Sequence, residues 1–320
     1  MIRLFAWSQK KFDQFLFDAT DARMCSVLRV GYATLLLVML GQLAGEAEVW
    51  FTDVGVLRSE SAEQFNEYAK ESVLFWLPAT SSVVYACLGL LFFNAVLLLL
   101  GCWSRLQAVF IFVGLTSFQH RNPLIFDGED TVFRLMIFFM IFMPLDHAWS
   151  LSKSWTRRCR SRDRVSTAWA LRLVQFEMTA IYLSTAWSKW QGETWRDGTA
   201  LYYVSRMEDV FGRGWLPDWL FETSGILHSM TWSVLLLETL LPVLLWIPAT
   251  RRYAILLGIG LHLSIEYAMH LFLFEWIMIL GLLSFVKLED LFPRTDDGGS
   301  RDSQPTELAR ECENLHSRER

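Results

Sequence analysis

The sequence lacks any close pair of cysteines. Its five, Cys25, Cys87, Cys102, Cys159 and Cys312, form no CxxC spacing, and none falls in a loop expected outside a membrane, so neither a disulfide framework nor a zinc site is indicated. It also lacks a basic patch. The formal net charge is −5, and Lys and Arg are sorted by loop rather than gathered on one face, which argues against a nucleic-acid partner. A secretory signal is missing as well: the first residues mix Ile2, Leu4, Phe5, Trp7 and Phe12 with Arg3, Lys10 and Lys11, with no uninterrupted apolar core before a small-residue cleavage site. Residues 1–23 read instead as an amphipathic interfacial helix. The stretch 289–320 lacks the apolar residues for a core and reads as a disordered cytoplasmic tail.

What is abundant is apolar and aromatic. The chain is 53% hydrophobic, with 15 Trp and 24 Phe in 320 residues, and its apolar runs are too long for strands. It reads as an all-α, polytopic transmembrane helical bundle filling 24–288. Eight spans are expected, over 24–45, 81–101, 105–120, 129–145, 167–190, 229–247, 252–268 and 271–286; several fall short of the ~20 residues that cross a bilayer core, so they would tilt or sit where the membrane is thin. Basic residues fix the orientation. Arg23, Arg105, the cluster Lys153, Arg157, Arg158, Arg160, Arg162 and Arg164, and the pair Arg251 and Arg252 all fall on one side; the positive-inside rule makes that side the cytoplasm and places both termini there. The acidic loop 46–80 and the loop 191–228, whose Gly, Pro and Trp suggest a folded cap, then face out.

Ionisable residues within spans are candidates for function. His120, Arg121 and Asn122 end the third span on the outer side, Asp127, Glu129 and Asp130 follow, and Arg134 lies one turn into the fourth. Lys189 ends the fifth span at the same level. On the seventh, His262 and Glu266 share a helical face, with His270 a turn beyond and Glu275 at the start of the eighth. Bland readings stand beside each: Arg134 as an ion pair with Asp130, His262 with Glu266 as a satisfied polar pair rather than a metal site, Arg29 as an ordinary inner-interface arginine. No metal is expected. Glu177 and Glu238, deeper in the bundle, would be protonated, or pair with each other or with Arg172, or line a proton path. Lys189, among Trp187, Trp190 and Trp195, is either a snorkelling lysine in an aromatic belt or a buried amine acting as a base.

Four stretches carry a resemblance: FDGEDTVFRL, MPLDHAWSLS, YLSTAWSKWQGETWRDGTALYYV and GLHLSIEYAMHLFLFEW. Their order resembles the HTTM family, the membrane domain shared by vitamin K-dependent gamma-carboxylases and many bacterial proteins, over most of residues 20–288. Its most specific piece runs from Lys189 through Trp195 and Gly198 to Tyr203. The resemblance implies that Lys189 is the base that deprotonates a reduced, vitamin K-like quinone, and that His262 helps shape the site. Trp195 belongs to that matched segment, and with His120, Asn122, Asp127, Arg134 and Glu266, which the topology gathers toward the outer face, it makes up the expected ligand-binding group. Implied partners are the lipid bilayer, a quinol, and a peptide or protein substrate or partner subunit, in a bacterial cell membrane. One departure stands out. The carboxylases carry a large lumenal region after this domain, whereas here a short tail follows, so carboxylation of protein glutamate is in doubt. A partner-dependent component for peptide or toxin maturation or export is the alternative, with a transporter using Glu177 and Glu238 last, because inverted repeats and broken helices are not evident.

Overall fold

The computed structural model of the chain describes residues 13–17, 20–151, 164–165, 168–207, 209–271 and 273–287. Most of the expected interfacial helix, the basic loop 152–163 and the tail 289–320 lie outside the described residues. The helices are α1 (Arg23–Phe51), α2 (Ser59–Phe65), α3 (Ser81–Leu100), α4 (Ser104–Arg121), α5 (Gly128–Met140), α6 (Ala168–Gln191), α7 (Glu193–Arg196), α8 (Ala200–Val204), α9 (Trp219–Glu222), α10 (Ser224–Leu244), α11 (Arg251–Ala268) and α12 (Phe274–Leu283). Besides them, β1 (Thr20–Asp21) and β2 (Arg164–Val165) form a two-residue antiparallel pair. The fold is therefore all-helical in substance.

Three of these helices, α1, α3 and α10, are long and apolar enough to cross a membrane, and α12 is apolar but only ten residues long. α1 outruns the expected 24–45 because Glu46 and Trp50 continue it, joined one turn apart by a 2.7 Å bond from the indole N–H to the carboxylate. α5 stops at Met140, short of the expected 145. Surfaces that face no other helix stay apolar, as at Leu90, 62% exposed, and Leu256, 66% exposed, a pattern suited to a hydrocarbon solvent.

Turn chemistry explains where the helices end. After α3, Gly101 adopts φ +73°; its N–H bonds Leu98 O at 3.0 Å and that of Cys102 bonds Leu97 O at 2.9 Å, the paired closure that a left-handed glycine allows. A Cβ at 101 would strike the Arg29 guanidinium. Arg29 is no ordinary interface arginine. It is fully buried, donates to Trp149 O at 2.6 Å and lies 3.6 Å from Asp146, while Asp146 accepts the N–H of Ser104 at 3.2 Å and starts α4. At the other end of the bundle, Asp127 accepts the N–H of Glu129 at 2.8 Å and Asp130 accepts that of Asp127 at 3.1 Å, a capping box that opens α5. This corrects the expected Arg134–Asp130 pair: the Asp130 carboxylate is turned back to the cap, and Arg134 Nη1 lies 3.4 Å from His120 Nε2 instead.

Packing sorts the long helices into α1, α3, α4 and α5 on one side and α6, α10 and α11 on the other, with α12 touching α1, α5, α6 and α11. Two apolar clusters fill these groups, one around Leu36, Phe133 and Ile111, the other around Met178, Leu241 and Met278. In hydrocarbon no solvent drives helices together, so association rests on close contact at small residues. Gly281 supplies one, since α12 approaches α6 so closely there that a Cβ would overlap Met178 Sδ.

Candidate functional site

α6, α10, α11 and α12 enclose a cavity of about 250 Å³. Ile181, Val234, Ile265, Phe274 and Met278 make its walls apolar, Thr185 adds a hydroxyl-bearing side chain, and the ionisable residues that line it are Lys189, Glu238, Tyr182, His262 and Glu275. Those five form two hydrogen-bonded sets.

Lys189 stands at the end of α6, and its Nζ pairs with both carboxylate oxygens of Glu238 on α10. Its other face lies against Trp195 of α7, with Nζ 4.8 Å from the ring centroid, a cation–π contact that supplies part of the solvation water would give. Glu238 is 8% exposed at its side chain and Lys189 23%, so the carboxylate is the more deeply committed partner. This corrects the expected pairing of Glu238 with Glu177 or Arg172. Arg172 instead donates to Gln175 Oε1 at 2.7 Å and covers the Phe15 ring at 4.4 Å. Glu177 is buried, with both carboxyl oxygens lacking a hydrogen-bond partner among the described residues.

In the second set, Tyr182 Oη lies 2.6 Å from His262 Nε2, and His262 Nδ1 pairs with Glu275. A carboxylate can only accept, so Nδ1 carries the proton toward Glu275 and Nε2 is left to accept from the phenol. All three are buried, Glu275 at 1% exposure. Tyr182 precedes Lys189 by seven residues, two helical turns, so both point from one face of α6 with their backbones about 10 Å apart along the axis.

A cap borders the mouth. Leu201 and Val204 of α8, with Met269 and Leu271 after α11, line the cavity, and the segment after α8 is strapped to the end of α11. Gly212 N–H bonds Ala268 O at 2.9 Å and His270 N–H bonds Val210 O at 2.6 Å, while Tyr267 Oη donates to Trp215 O at 3.0 Å. Arg213 pairs with Glu266. Glu266 and His262, expected as mutual neighbours on one face, thus divide their work: His262 turns into the cavity and Glu266 fastens the cap. Gly198, at φ +84°, lets α7 turn toward α8 against the His228 ring.

Of the residues expected to form the site, the structure brings Lys189, His262 and Trp195 to this cavity, together with Glu238 and Glu275, named in the sequence only as ionisable groups within spans, and leaves His120, Asn122, Asp127, Arg134 and Glu266 elsewhere. Asn122 is buried, donating to Trp50 O at 2.8 Å and accepting from the Leu124 N–H at 3.1 Å. His120 sits 3.7 Å from Glu71 and against the Tyr68 ring, beside Arg134; Asp127 caps α5. Tyr182, Glu238 and Glu275 were not assigned to the site from sequence. The seven-residue spacing of Tyr182 before Lys189 was a readable signal for the first, but no pattern says that α10 turns Glu238 toward α6.

A family model described as HTTM domain matches residues 17–289. No curated protein and no solved structure matches the chain.

Proposed function

The chain belongs to the HTTM domain family and is a membrane protein, and from that premise we propose that it binds a reduced quinone in the Lys189 cavity and holds a proton released there. The observation that carries this reading is the Lys189–Glu238 pair lining a cavity with apolar walls, its carboxylate buried. In the accompanying topology the protein is a multi-pass component of a bacterial cell membrane with eight spans, and the sorting of basic loops supports cytoplasmic termini and a cap that faces out.

The residues present suit such a ligand. A planar aromatic ring matches walls of Phe274, Ile181 and Met278, and hydroxyls match the polar groups at two levels of α6. At about 250 Å³ the cavity is slightly smaller than the ~300–1,000 Å³ usual for ligand pockets, which suits a ring headgroup with any tail left in lipid. A bound quinol supplies an easily oxidised ring with ionisable hydroxyls. Glu238 Oε1 and Oε2 are the acceptors for a proton given up in the cavity, and the Lys189 ammonium faces the negative charge that forms, a stabilisation strengthened where water is excluded. Trp195 fixes the ammonium and the cap residues Leu201 and Val204 keep water out.

Thermal unfolding of the purified protein in detergent tests the reading. A reduced naphthoquinone should raise the transition temperature, as any ligand that favours the native state does, and the shift should shrink in Lys189→Ala, Glu238→Gln and His262→Ala. No shift in the wild type, or one unaffected by Lys189→Ala, would refute it. Peptide or toxin maturation with a partner rests on the family resemblance alone. The transporter alternative loses its premise, since Glu238 is paired with Lys189 and not with Glu177.

A further inference from the structure

We infer that Tyr182 is a second acid–base residue of this cavity, receiving a proton from a bound ligand hydroxyl while passing its own to His262, with Glu275 as the counter-ion that keeps the histidine in position. The inference rests on the ligand reading above and adds a catalytic group to it.

The geometry supports it in three steps. First, Tyr182 and His262 both line the cavity, and the phenol oxygen is 2.6 Å from His262 Nε2, so a proton that reaches the phenol has an acceptor within hydrogen-bond distance. Second, the Glu275 pairing at Nδ1 fixes the tautomer that leaves Nε2 free to accept, the same logic by which a carboxylate orients the histidine of a hydrolytic triad. Third, Lys189 and Glu238 already satisfy each other two turns further along α6, so the Tyr182 set serves a different position of the ligand. The titratable groups that face Tyr182 are therefore His262, Glu275, Glu238 and Lys189.

The proton inventory closes. The O–H bond of the ligand breaks and its proton goes to Tyr182 Oη, whose own proton forms the new N–H bond at His262 Nε2. The products are a ligand oxyanion, an intact phenol, and an imidazolium facing the Glu275 carboxylate. No electron moves and no co-reactant is needed. The buried Glu275 then has a charged partner where before it had a neutral one, which favours the transfer.

The test is an anaerobic titration of the full-length protein in lipid nanodiscs with menadiol at neutral pH. The absorption band of the ionised naphthol is followed, and binding is measured separately by thermal shift. Wild type should show the ionised band. Tyr182→Phe keeps the ring and the packing, so at menadiol concentrations that saturate its own thermal shift it should lose the band about tenfold, one pK unit of ligand ionisation; Glu275→Gln, compared at its own saturation, should show an intermediate loss. If Tyr182→Phe does not fold, Glu275→Gln carries the same outcome, because it leaves the phenol in place. Menadiol bound to wild type without ionising, or ionised equally in wild type and both variants, overturns this inference alone. Absence of any thermal shift overturns the ligand reading and this one with it.

Discussion

Removing either member of the Lys189–Glu238 pair should destabilise the protein, and unequally. Lys189→Met strands a carboxylate whose side chain is 8% exposed, and breaking a buried pair from one side costs ~3–5 kcal/mol. Glu238→Met leaves an ammonium that is already 23% exposed and flanked by Trp187 and Trp190, which are largely exposed. That lysine can extend its stem and reach water, so the loss falls to ~1–2 kcal/mol, between the value of an exposed pair and that of a buried one. The double variant removes both charges together and should lie within ~1 kcal/mol of wild type, because apolar replacements of a buried pair are often neutral. At ~2–4 °C per kcal/mol, Lys189→Met should melt ~6–20 °C lower, Glu238→Met ~2–8 °C lower, and the double variant near the parent. The assay is a thermal melt of all four proteins in one detergent, read as a double-mutant cycle. If the Lys189→Met deficit persists unchanged in the double variant, the two side chains are not coupled and the site as described does not exist.

Other outcomes follow from the same geometry. Gly101→Ala should cost ~2 kcal/mol or more, seen as a lower melting temperature, because position 101 needs a left-handed backbone and the new methyl would meet Arg29. Gly281→Val should lower the melting temperature by a similar amount by forcing α12 from Met178. Arg213→Ala should leave global stability within ~1 kcal/mol, since Arg213 is exposed, yet accelerate amide hydrogen exchange at 210–214 where the cap meets α11; unchanged exchange would show that the ion pair does not fasten the cap. In a variant without native cysteines, a cysteine at Asp218 should label from outside the cell and one at exposed Trp103 should not; the reverse would invert the topology.

Much of the bundle could be read from composition, because helices in lipid must be long, apolar and internally bonded. Facing relations were another matter. Lys189, Trp195 and His262 line one cavity, but the partner of Lys189 lies 49 residues away on α10, and apolar periodicity cannot say which side of a uniformly apolar helix meets a neighbour. Arg134 was paired with Asp130 on helical spacing, although Asp127 and Asp130 around the start of α5 already spelled a capping box that claims Asp130 first. Glu266 looked like site chemistry by its four-residue distance from His262; the cap segment that pairs with it is an irregular turn, and nothing local in the sequence announces Arg213 as its partner.

The neutrality of the Lys189–Glu238 pair bears on how the protein responds to an energised membrane. An elementary charge carried across the whole potential is worth ~2.3 kcal/mol per 100 mV. A proton handed from a neutral ligand to a carboxylate beside it travels about 3 Å of a ~30 Å core, so it feels roughly a tenth of that, ~0.2 kcal/mol. Chemistry confined to the cavity is thus nearly blind to voltage. Only the later escape of the proton to one aqueous side would be electrogenic, and the membrane potential acts on that step alone.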